Sequence, residues 1–386
     1  MDQVVTTDEP PQDIDSISSH TEIAMEEGGL LEVEIFWRDH YLYLKEHGYT
    51  LRRRYEPDWT PSWISDNKEI YECEDSVFVC HAWVIDATRR DGTYVALKKV
   101  DASRVTARNE LAVGKLFTSP ELSLCTGNRC VPILDIVQPK EGSDYTFIVM
   151  PLLYPVDTAP FETIGEVTGF FRQIFEFMHN HNVAHGDCKW NNIMADLGSS
   201  YDHPPHPIDR FTRRDFRGHI SAPISRTTKP VKYYLIDFDL SKIYGKQDVR
   251  LRMPPWGGDK TVPEHLIPNA PPCDPFPVDV YCIGNIARQR FLDGHERSGL
   301  ILGKPVKGFE FMRELISDMV KVNPKQRPTM NEVVSRFDEL IEGLSEWRLR
   351  SPVVEDGESL GIFTSIAHWT RQLWYVIWRI PAIPRA

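Results

Sequence analysis

The first part of the chain is patterned mainly as strands. Residues Val77–Ile85 and Tyr94–Val100 are rich in β-branched and aromatic residues, and Asp91-Gly92 between them is a strong hairpin-turn signal. Another β-prone run, Thr146–Met150, ends at Pro151. These runs predict a small β-rich region.

Helical spacing of apolar residues is found elsewhere. Residues 30–44 and 103–117 are predicted to be helices, and the second contains Glu110. After residue 151 the chain turns helical, with a core-facing stripe formed by Phe170, Ile174, Phe177 and Met178. Because strands come first and helices follow, the sequence predicts an α+β fold with a small β-rich lobe and a larger α-helical lobe.

Shifts in composition divide the chain into segments. The N-terminus is polar and acidic, a proline- and aromatic-rich stretch follows it, and a His-, Pro- and Arg-rich insertion interrupts the second lobe. The predicted segments are a disordered tail (1–28), an ordered extension (29–63), the small lobe (64–152), the large lobe (153–345, with the insertion 197–230) and a C-terminal extension (346–386).

Composition and charge exclude several classes of function. The net charge of -12 argues against nucleic-acid binding, which depends on clustered Lys and Arg. The seven cysteines match no metal-binding spacing, and no signal peptide is evident, so we expect an intracellular protein, cytoplasmic or nuclear. No apolar stretch is long enough to span a membrane. The aromatic segment 362–384 is expected to dock on the fold, with peripheral membrane docking as the alternative.

One short segment carries the groups that phosphoryl transfer requires. Asp187 can accept or orient the proton of a hydroxyl, Lys189 can neutralise charge on the phosphoryl group, and the Asn192 side-chain oxygen can bind magnesium. Asp237 ends the apolar run Leu235-Ile236 and is the expected main magnesium ligand.

A lysine in the predicted small lobe completes the set. Lys98 ends Val95-Ala96-Leu97 on a predicted strand, where an inward ammonium needs a partner. Glu110 on the following helix is the expected partner, and ATP phosphates are the expected ligand. The neighbouring Lys99 should point to the opposite face of the strand.

Six motifs in order resemble the eukaryotic protein kinase family. They are Val95-Ala96-Leu97-Lys98, His185 to Asn192, Ile236-Asp237-Phe238, Val262-Pro263-Glu264, Asp279 to Gly284, and Asn323 to Thr329. The resemblance covers residues 64–345. More narrowly, residues 48–63 are similar to an extension seen in an expanded kinase-like group of mushroom-forming fungi.

The resemblance implies a bilobal fold that uses ATP and Mg2+ to phosphorylate Ser or Thr of a protein substrate. Adenine would lie near Ala96 and Met150, beside the backbone of Pro151–Leu153. Glu264 and Arg327 would form a structural ion pair, and Asp279 would be a structural anchor.

Three positions depart from the family pattern. Glu72–Val79, where a glycine-rich phosphate loop is expected, has no glycine, and its acids Glu72, Glu74 and Asp75 should repel phosphate. Gly186 replaces the arginine that normally holds a phosphorylated activation loop, so we expect no switching by phosphorylation there. Asp239 replaces the usual glycine after Asp237-Phe238.

Two other functions stay open. The missing glycines favour a pseudokinase that acts as a binding scaffold. His185-Gly186-Asp187 with Asp237-Phe238-Asp239 also resembles small-molecule phosphotransferases of the aminoglycoside and choline kinase type. The later motifs from Val262 onward favour the protein kinase.

Overall fold

The computed structural model describes residues 29–79, 82–101, 103–139, 142–175, 178–297 and 300–386. The predicted acidic tail, residues 1–28, lies outside the described residues. The chain forms two compact units. One extends to Lys99 and includes Pro205–His219, and the other comprises Val100–Pro204 and Ile220–Ala386. Helices and antiparallel strands are mixed along the chain, which confirms the α+β class. The predicted lobe boundary at residue 152 stays a prediction.

The first unit contains an antiparallel sheet with helices before it. Its elements are α1 (Glu32–Asp39), α2 (Tyr41–Glu46), β1 (Tyr49–Leu51), α3 (Ser62–Ser65), β2 (Val84–Arg89) and β3 (Tyr94–Asp101). Strand β2 pairs with β1 on one side and with β3 on the other, with Tyr49 opposite Arg89 and Val84 opposite Lys98. The predicted helix at 30–44 and the predicted hairpin are confirmed. Strand β1 shows that the predicted extension joins the sheet of this unit.

Two buried arginines organise the residues between β1 and β2. Both Nε and Nη2 of Arg54 lie 2.7 Å from the carboxylate of the fully buried Glu34. Arg52 contacts Asp86 through Nε and Glu74 through Nη1, each at 3.1 Å. Because each buried charge has an opposite charge within hydrogen-bond distance, the cost of removing it from water is offset.

The predicted strand Val77–Ile85 is wrong at its beginning. Residues 77–79 are not in a strand, and β2 begins at Val84. Arg52 Nη1 donates to the Val77 carbonyl at 2.7 Å, and Arg54 Nη1 donates to the Asp75 carbonyl at 3.0 Å. These two carbonyl oxygens therefore accept hydrogen bonds from arginine side chains instead of from the backbone of a neighbouring strand.

The second unit contains most of the helices. They are α4 (Val105–Thr118), α5 (Pro120–Ser123), α6 (Ile164–Ile174), α7 (Pro275–Ala287), α8 (Arg313–Met319), α9 (Met330–Glu342), α10 (Glu346–Leu349) and α11 (Ile362–Ile377). The strands are β4 (Asp135–Val137), β5 (Tyr145–Pro151), β6 (Tyr154–Pro155), β7 (Val183–Ala184), β8 (Ile193–Ala195), β9 (Tyr233–Leu235), β10 (Lys242–Ile243), β11 (His295–Arg297) and β12 (Leu300–Gly303). Antiparallel pairs are β4 with β5, β7 with β10 and β11 with β12, and β8 lies between β6 and β9.

An aromatic core lies along α6. Phe170 and Phe171 are fully buried, and the ring centroid of Phe171 lies 5.2 Å from that of Phe291 and 5.4 Å from that of Phe175. Ile174 and Met178 are also buried, as predicted, whereas Phe177 lies outside the described residues. This core supports the β8–β9 hairpin, since α6 packs against β9.

The predicted insertion 197–230 contains no long helix or strand, yet part of it is firmly anchored. Arg226 is buried and donates to the Tyr233 hydroxyl at 2.7 Å and to the Val156 carbonyl at 2.9 Å. Thr227 donates its backbone N–H to Glu166 at 2.9 Å. Buried side chains, rather than secondary structure, hold Arg226 and Thr227 on the second unit.

Candidate active site

The β8–β9 hairpin brings two of the predicted site residues to the same end of one sheet. Ile193 lies opposite Leu235, and the Ile236 amide donates to the Asn192 carbonyl at 3.0 Å. Asp237 follows Ile236 directly, so it lies next to the residue that is hydrogen-bonded to Asn192. Its φ of 66° is in the left-handed region, which an aspartate tolerates better than most residues.

The Asp187 carboxylate is held from several sides. Asp187 is buried, and its Oδ2 lies 2.6 Å from Lys189 Nζ and 2.9 Å from Asn192 Nδ2. Asn192 Nδ2 also donates to the Asp187 carbonyl at 2.9 Å. The structure thus brings together Asp187, Lys189 and Asn192, as the sequence predicts. The amide nitrogen of Asn192 faces Asp187, which directs its amide oxygen the other way.

A glycine pair from a later segment contacts this carboxylate. The Gly258 amide donates to Asp187 Oδ1 at 2.5 Å. A Cβ atom on Gly257 would lie 2.7 Å from the Gly186 carbonyl, and one on Gly258 would lie 2.9 Å from Lys189 Cδ. Only glycine lets this backbone come so close to the catalytic loop.

Asp279 holds the backbone of His185 and Gly186 through two hydrogen bonds. Its Oδ2 accepts the His185 amide at 2.7 Å, and its Oδ1 accepts the Gly186 amide at 2.9 Å. Burial alone raises the pKa of the Asp279 carboxyl, but hydrogen bonds from His179 and Gly186 outweigh burial, and the net pKa is lowered. The predicted role of Asp279 as a structural anchor is confirmed.

Gly186 has a structural reason to lack a side chain. Its φ is 77°, and a Cβ atom would lie 2.6 Å from the Leu240 carbonyl and 2.7 Å from Arg252 Nη1. Arg252 Nη1 donates to that same carbonyl at 2.6 Å, and its guanidinium lies 5.0 Å from the Trp256 ring centroid. A guanidinium from residue 252 therefore occupies the space beside the loop that a side chain at position 186 would enter.

The hydroxyls between 241 and 261 are already engaged or enclosed. Ser241 is buried and donates to the His185 carbonyl at 2.8 Å, and Tyr244 is buried. Thr261 is exposed, but its hydroxyl oxygen lies 2.7 Å from Asp259 and 3.0 Å from Asn285. Phosphorylation of Ser241 or Tyr244 would require the buried side chains around it to move apart.

We therefore expect activity to be independent of phosphate in this segment. Treatment of active protein with a broad-specificity phosphatase should leave the rate within about twofold, because Arg252 already supports the loop without a phosphate. Peptide mapping before and after treatment checks which sites were modified. A large loss of activity that tracks a phosphate between residues 241 and 261 would contradict this expectation.

The other four predicted site residues lie on different elements. Ala96 and Lys98 are half-buried on β3 in the first unit, whereas Glu110, buried on α4, and Met150, half-buried on β5, belong to the second. Lys99 is directed to α1, with Nζ 3.8 Å from the Phe36 ring centroid. This is consistent with the predicted difference between Lys98 and Lys99. The pairing of Lys98 with Glu110 stays a prediction.

Two of the acids at the expected phosphate loop are engaged in structural contacts. Asp75 accepts hydrogen bonds from Trp59 Nε1 and from the Ser62 amide, both at 2.9 Å. Glu74 lies 3.1 Å from Arg52 Nη1 and 3.2 Å from His206 Nε2. Burial alone raises the pKa of Glu74, but His206 and Arg52 outweigh it and the net pKa is lowered. Both carboxylates make structural contacts, and of the three acids only Glu72 is exposed. That these acids repel phosphate stays a prediction.

The structure argues against a thiol nucleophile beside Asp187. Burial raises the pKa of the Cys188 thiol well above its usual range, and the nearby Asp279 carboxylate acts in the same direction, so Cys188 is a poor nucleophile. Within the described ranges, no group of three or more His, Cys, Asp or Glu side chains could hold a metal ion. His206, in the segment 197–230, is fully buried, and its Nε2 lies 3.2 Å from Glu74.

The predicted ion pair is present in the second unit. Arg327 Nη1 and Nη2 each lie 2.7 Å from one oxygen of the Glu264 carboxylate, and both residues are buried. This pair ties the segment after Gly258 to the residues that precede α9.

Gly258 and Arg252 also belong to the site, although no sequence motif points to either residue. Gly257-Gly258 is the only adjacent glycine pair after residue 200, and it lies just before Val262-Pro263-Glu264. The position of this pair just before Val262-Pro263-Glu264 could have identified Gly258 as a candidate site residue. Arg252 belongs to no sequence motif, and only the folding of the chain places it beside Gly186.

Comparison with protein-family models finds no family that matches this chain, and comparison with curated proteins finds no similar protein. The kinase resemblance accordingly rests on the motifs and on the geometry described above.

Proposed function

We propose that this protein is a bilobal protein kinase that transfers the terminal phosphoryl group of ATP to a Ser or Thr hydroxyl of a protein. One observation carries the proposal. The buried Asp187 carboxylate is contacted by Lys189 and Asn192 on a loop anchored by Asp279. Asp237 follows the strand beside that loop.

The roles follow from the chemistry of these groups. The substrate hydroxyl oxygen attacks the terminal phosphorus, its proton passes to the Asp187 carboxylate, and the bond from phosphorus to the bridging oxygen breaks to leave ADP. Asp187 Oδ1 accepts the Gly258 amide and has a second lone pair for the hydroxyl. Lys189, whose side chain is 38% exposed, can reach both Asp187 and a phosphoryl oxygen.

The residues present fit a magnesium ion. Magnesium prefers oxygen ligands and is commonly held by one or two carboxylates together with substrate phosphates. Asp237 would supply a carboxylate, and Asn192 would supply the amide oxygen that faces away from Asp187. When bound, the ion neutralises charge on the phosphates.

Two observations favour a protein substrate over a small molecule. The buried Glu264–Arg327 pair and the anchoring of the loop by Asp279 correspond to the motifs that, in the resemblance, belong to the protein kinase large lobe. A scaffold without catalysis is the second candidate. The absence of glycine from Glu72–Val79 favours it.

Labelled ATP separates these functions. We expect transfer of the terminal phosphate to Ser or Thr in a mixture of denatured proteins, with magnesium required. Transfer only to aminoglycosides or choline would identify a small-molecule phosphotransferase. No transfer to either class, from protein that melts as a single folded species, would favour the scaffold.

A further inference from the structure

The C-terminal helix α11 is docked with its polar side inward. Its buried residues are His368, Gln372 and Tyr375. His368 Nε2 lies 2.9 Å from the Arg350 carbonyl, and Gln372 Oε1 accepts from Arg350 Nη1 at 3.3 Å. Amphipathic helices of globular proteins usually bury their apolar side instead, so this orientation calls for a reason.

The apolar side of the same helix faces solvent. At 100° per residue, positions 362, 366, 373 and 377 share one face with 363, 374 and 378 beside it. The exposed fractions run from 52% to 88%, for Ile362, Phe363, Ile366, Leu373, Trp374, Ile377 and Trp378. Such a continuous patch of large apolar side chains marks an interaction surface.

Several contacts keep this face turned outward. Arg350 Nη2 donates to the Ile380 carbonyl at 2.5 Å, and Arg371 forms an ion pair with Glu162 at 3.1 Å. After the helix, the chain packs so closely on α6 that a Cβ atom on Gly169 would lie 3.1 Å from the Pro384 carbonyl. The helix cannot rotate to bury its apolar side without breaking these contacts.

The charge of this segment is opposite to that of the chain. Residues 359–386 contain three arginines and no Asp, Glu or Lys, whereas the whole chain has a net charge of -12. Because Arg371 is paired with Glu162, the exposed Arg379 and Arg385 supply the positive charge available to a partner. A segment that is cationic and has an apolar face is suited to a surface with negative charges above an apolar interior. Two copies of the segment would bring like charges together.

We propose that α11 and Trp378 bind the surface of a membrane that contains anionic lipids. The helix lies in the plane of the interface with its apolar face at the boundary between headgroups and acyl chains. Trp374 and Trp378 suit that depth, because indole rings prefer the membrane–water interface. None of the described helices has the length and apolarity needed to cross a bilayer, so the association is peripheral.

Flotation of the full-length protein with vesicles tests this proposal. We expect binding to phosphatidylcholine vesicles that contain about 30% phosphatidylserine, and weaker binding to phosphatidylcholine alone or at high salt. The double variant Trp374→Ser/Trp378→Ser should weaken binding by at least about tenfold. Both tryptophans are exposed, so an unchanged circular dichroism spectrum is expected to show that the variant folds.

The matched control is Phe211→Ser, which removes an aromatic side chain that is 76% exposed outside this segment. It should bind vesicles as the wild type does. Absence of wild-type binding would overturn the proposal, as would equal binding by the double tryptophan variant. Concentration-dependent dimerisation in sedimentation that the double variant abolishes, without vesicle binding, would identify a second copy as the occupant instead.

Discussion

Asp187→Asn is expected to lower the rate of phosphate transfer by about 100- to 10,000-fold, the range usually contributed by a general base. Asparagine has nearly the same shape, but it has only one side-chain oxygen, so it can keep either the hydrogen bond from the Gly258 amide or those from Lys189 and Asn192. What is lost is the negative charge and the ability to take the hydroxyl proton. Initial rates with labelled ATP at saturating substrate measure the effect.

Asp157→Asn is the matched control for this variant. Asp157 is half-exposed and accepts from Trp190 Nε1 at 2.9 Å, so it lies close to the catalytic loop without contacting Asp187 in the described structure. Its substitution should change the rate by less than about threefold, as expected for a surface group. Similar rates for Asp187→Asn and the wild type would exclude Asp187 as the base.

Arg327→Ala is expected to have the largest effect on stability, a loss of about 3–5 kcal/mol in the free energy of unfolding. The side chain is fully buried, and besides the two bonds to Glu264 it donates to the carbonyls of Lys321, Pro277 and Val322 at 2.7, 2.9 and 3.3 Å. All five guanidinium donors are thus used. Truncation leaves a buried carboxylate without its countercharge.

Arg172→Ala is the control, because Arg172 forms an exposed pair with Asp338 at 3.1 Å. Exposed pairs contribute about 0–1 kcal/mol, so this variant should stay close to wild type in urea denaturation. Arg327→Lys should also be strongly destabilised, since an ammonium cannot replace the planar fork. If Arg327→Ala lost no more than Arg172→Ala, the pair would not stabilise the fold.

Some elements of the fold followed from local sequence alone. The hairpin between β2 and β3 was predictable because Asp91-Gly92 takes the required turn, with Gly92 at φ 83°. The helices near residues 32–46 and 105–118 were predictable from apolar spacing. These elements depend on contacts within a few residues, which a sequence pattern records directly.

Other features depend on contacts distant in sequence and could not be predicted. Val77–Val79 has strand-like composition, but Arg52, 25 residues earlier, takes the Val77 carbonyl. Arg252 approaches Gly186 only because the two segments pack together in the fold. The aromatic segment 362–384 was expected to dock on the fold, but which side of its helix is buried depends on Arg350, which engages Gln372.

The site was better predicted than the segment around it. Asp187, Lys189 and Asn192 lie within six residues, so the local motif fixed their proximity. Asp237, 45 positions after Asn192 in the sequence, joins them through strand register. The partners of the acids near residue 74, which are Arg52, His206 and Ser62, could not be read from a local pattern.

Thermal melting with nucleotide tests the central claim, that this chain binds ATP and magnesium for phosphoryl transfer. A ligand that binds only the native state at one hundred times its Kd adds about 2.7 kcal/mol of stability. We predict that millimolar Mg-ATP raises the melting temperature of the wild type, that ATP with a chelator raises it less, and that Asp237→Asn removes the magnesium-dependent part. An unchanged melting temperature of the wild type in millimolar Mg-ATP would contradict the account.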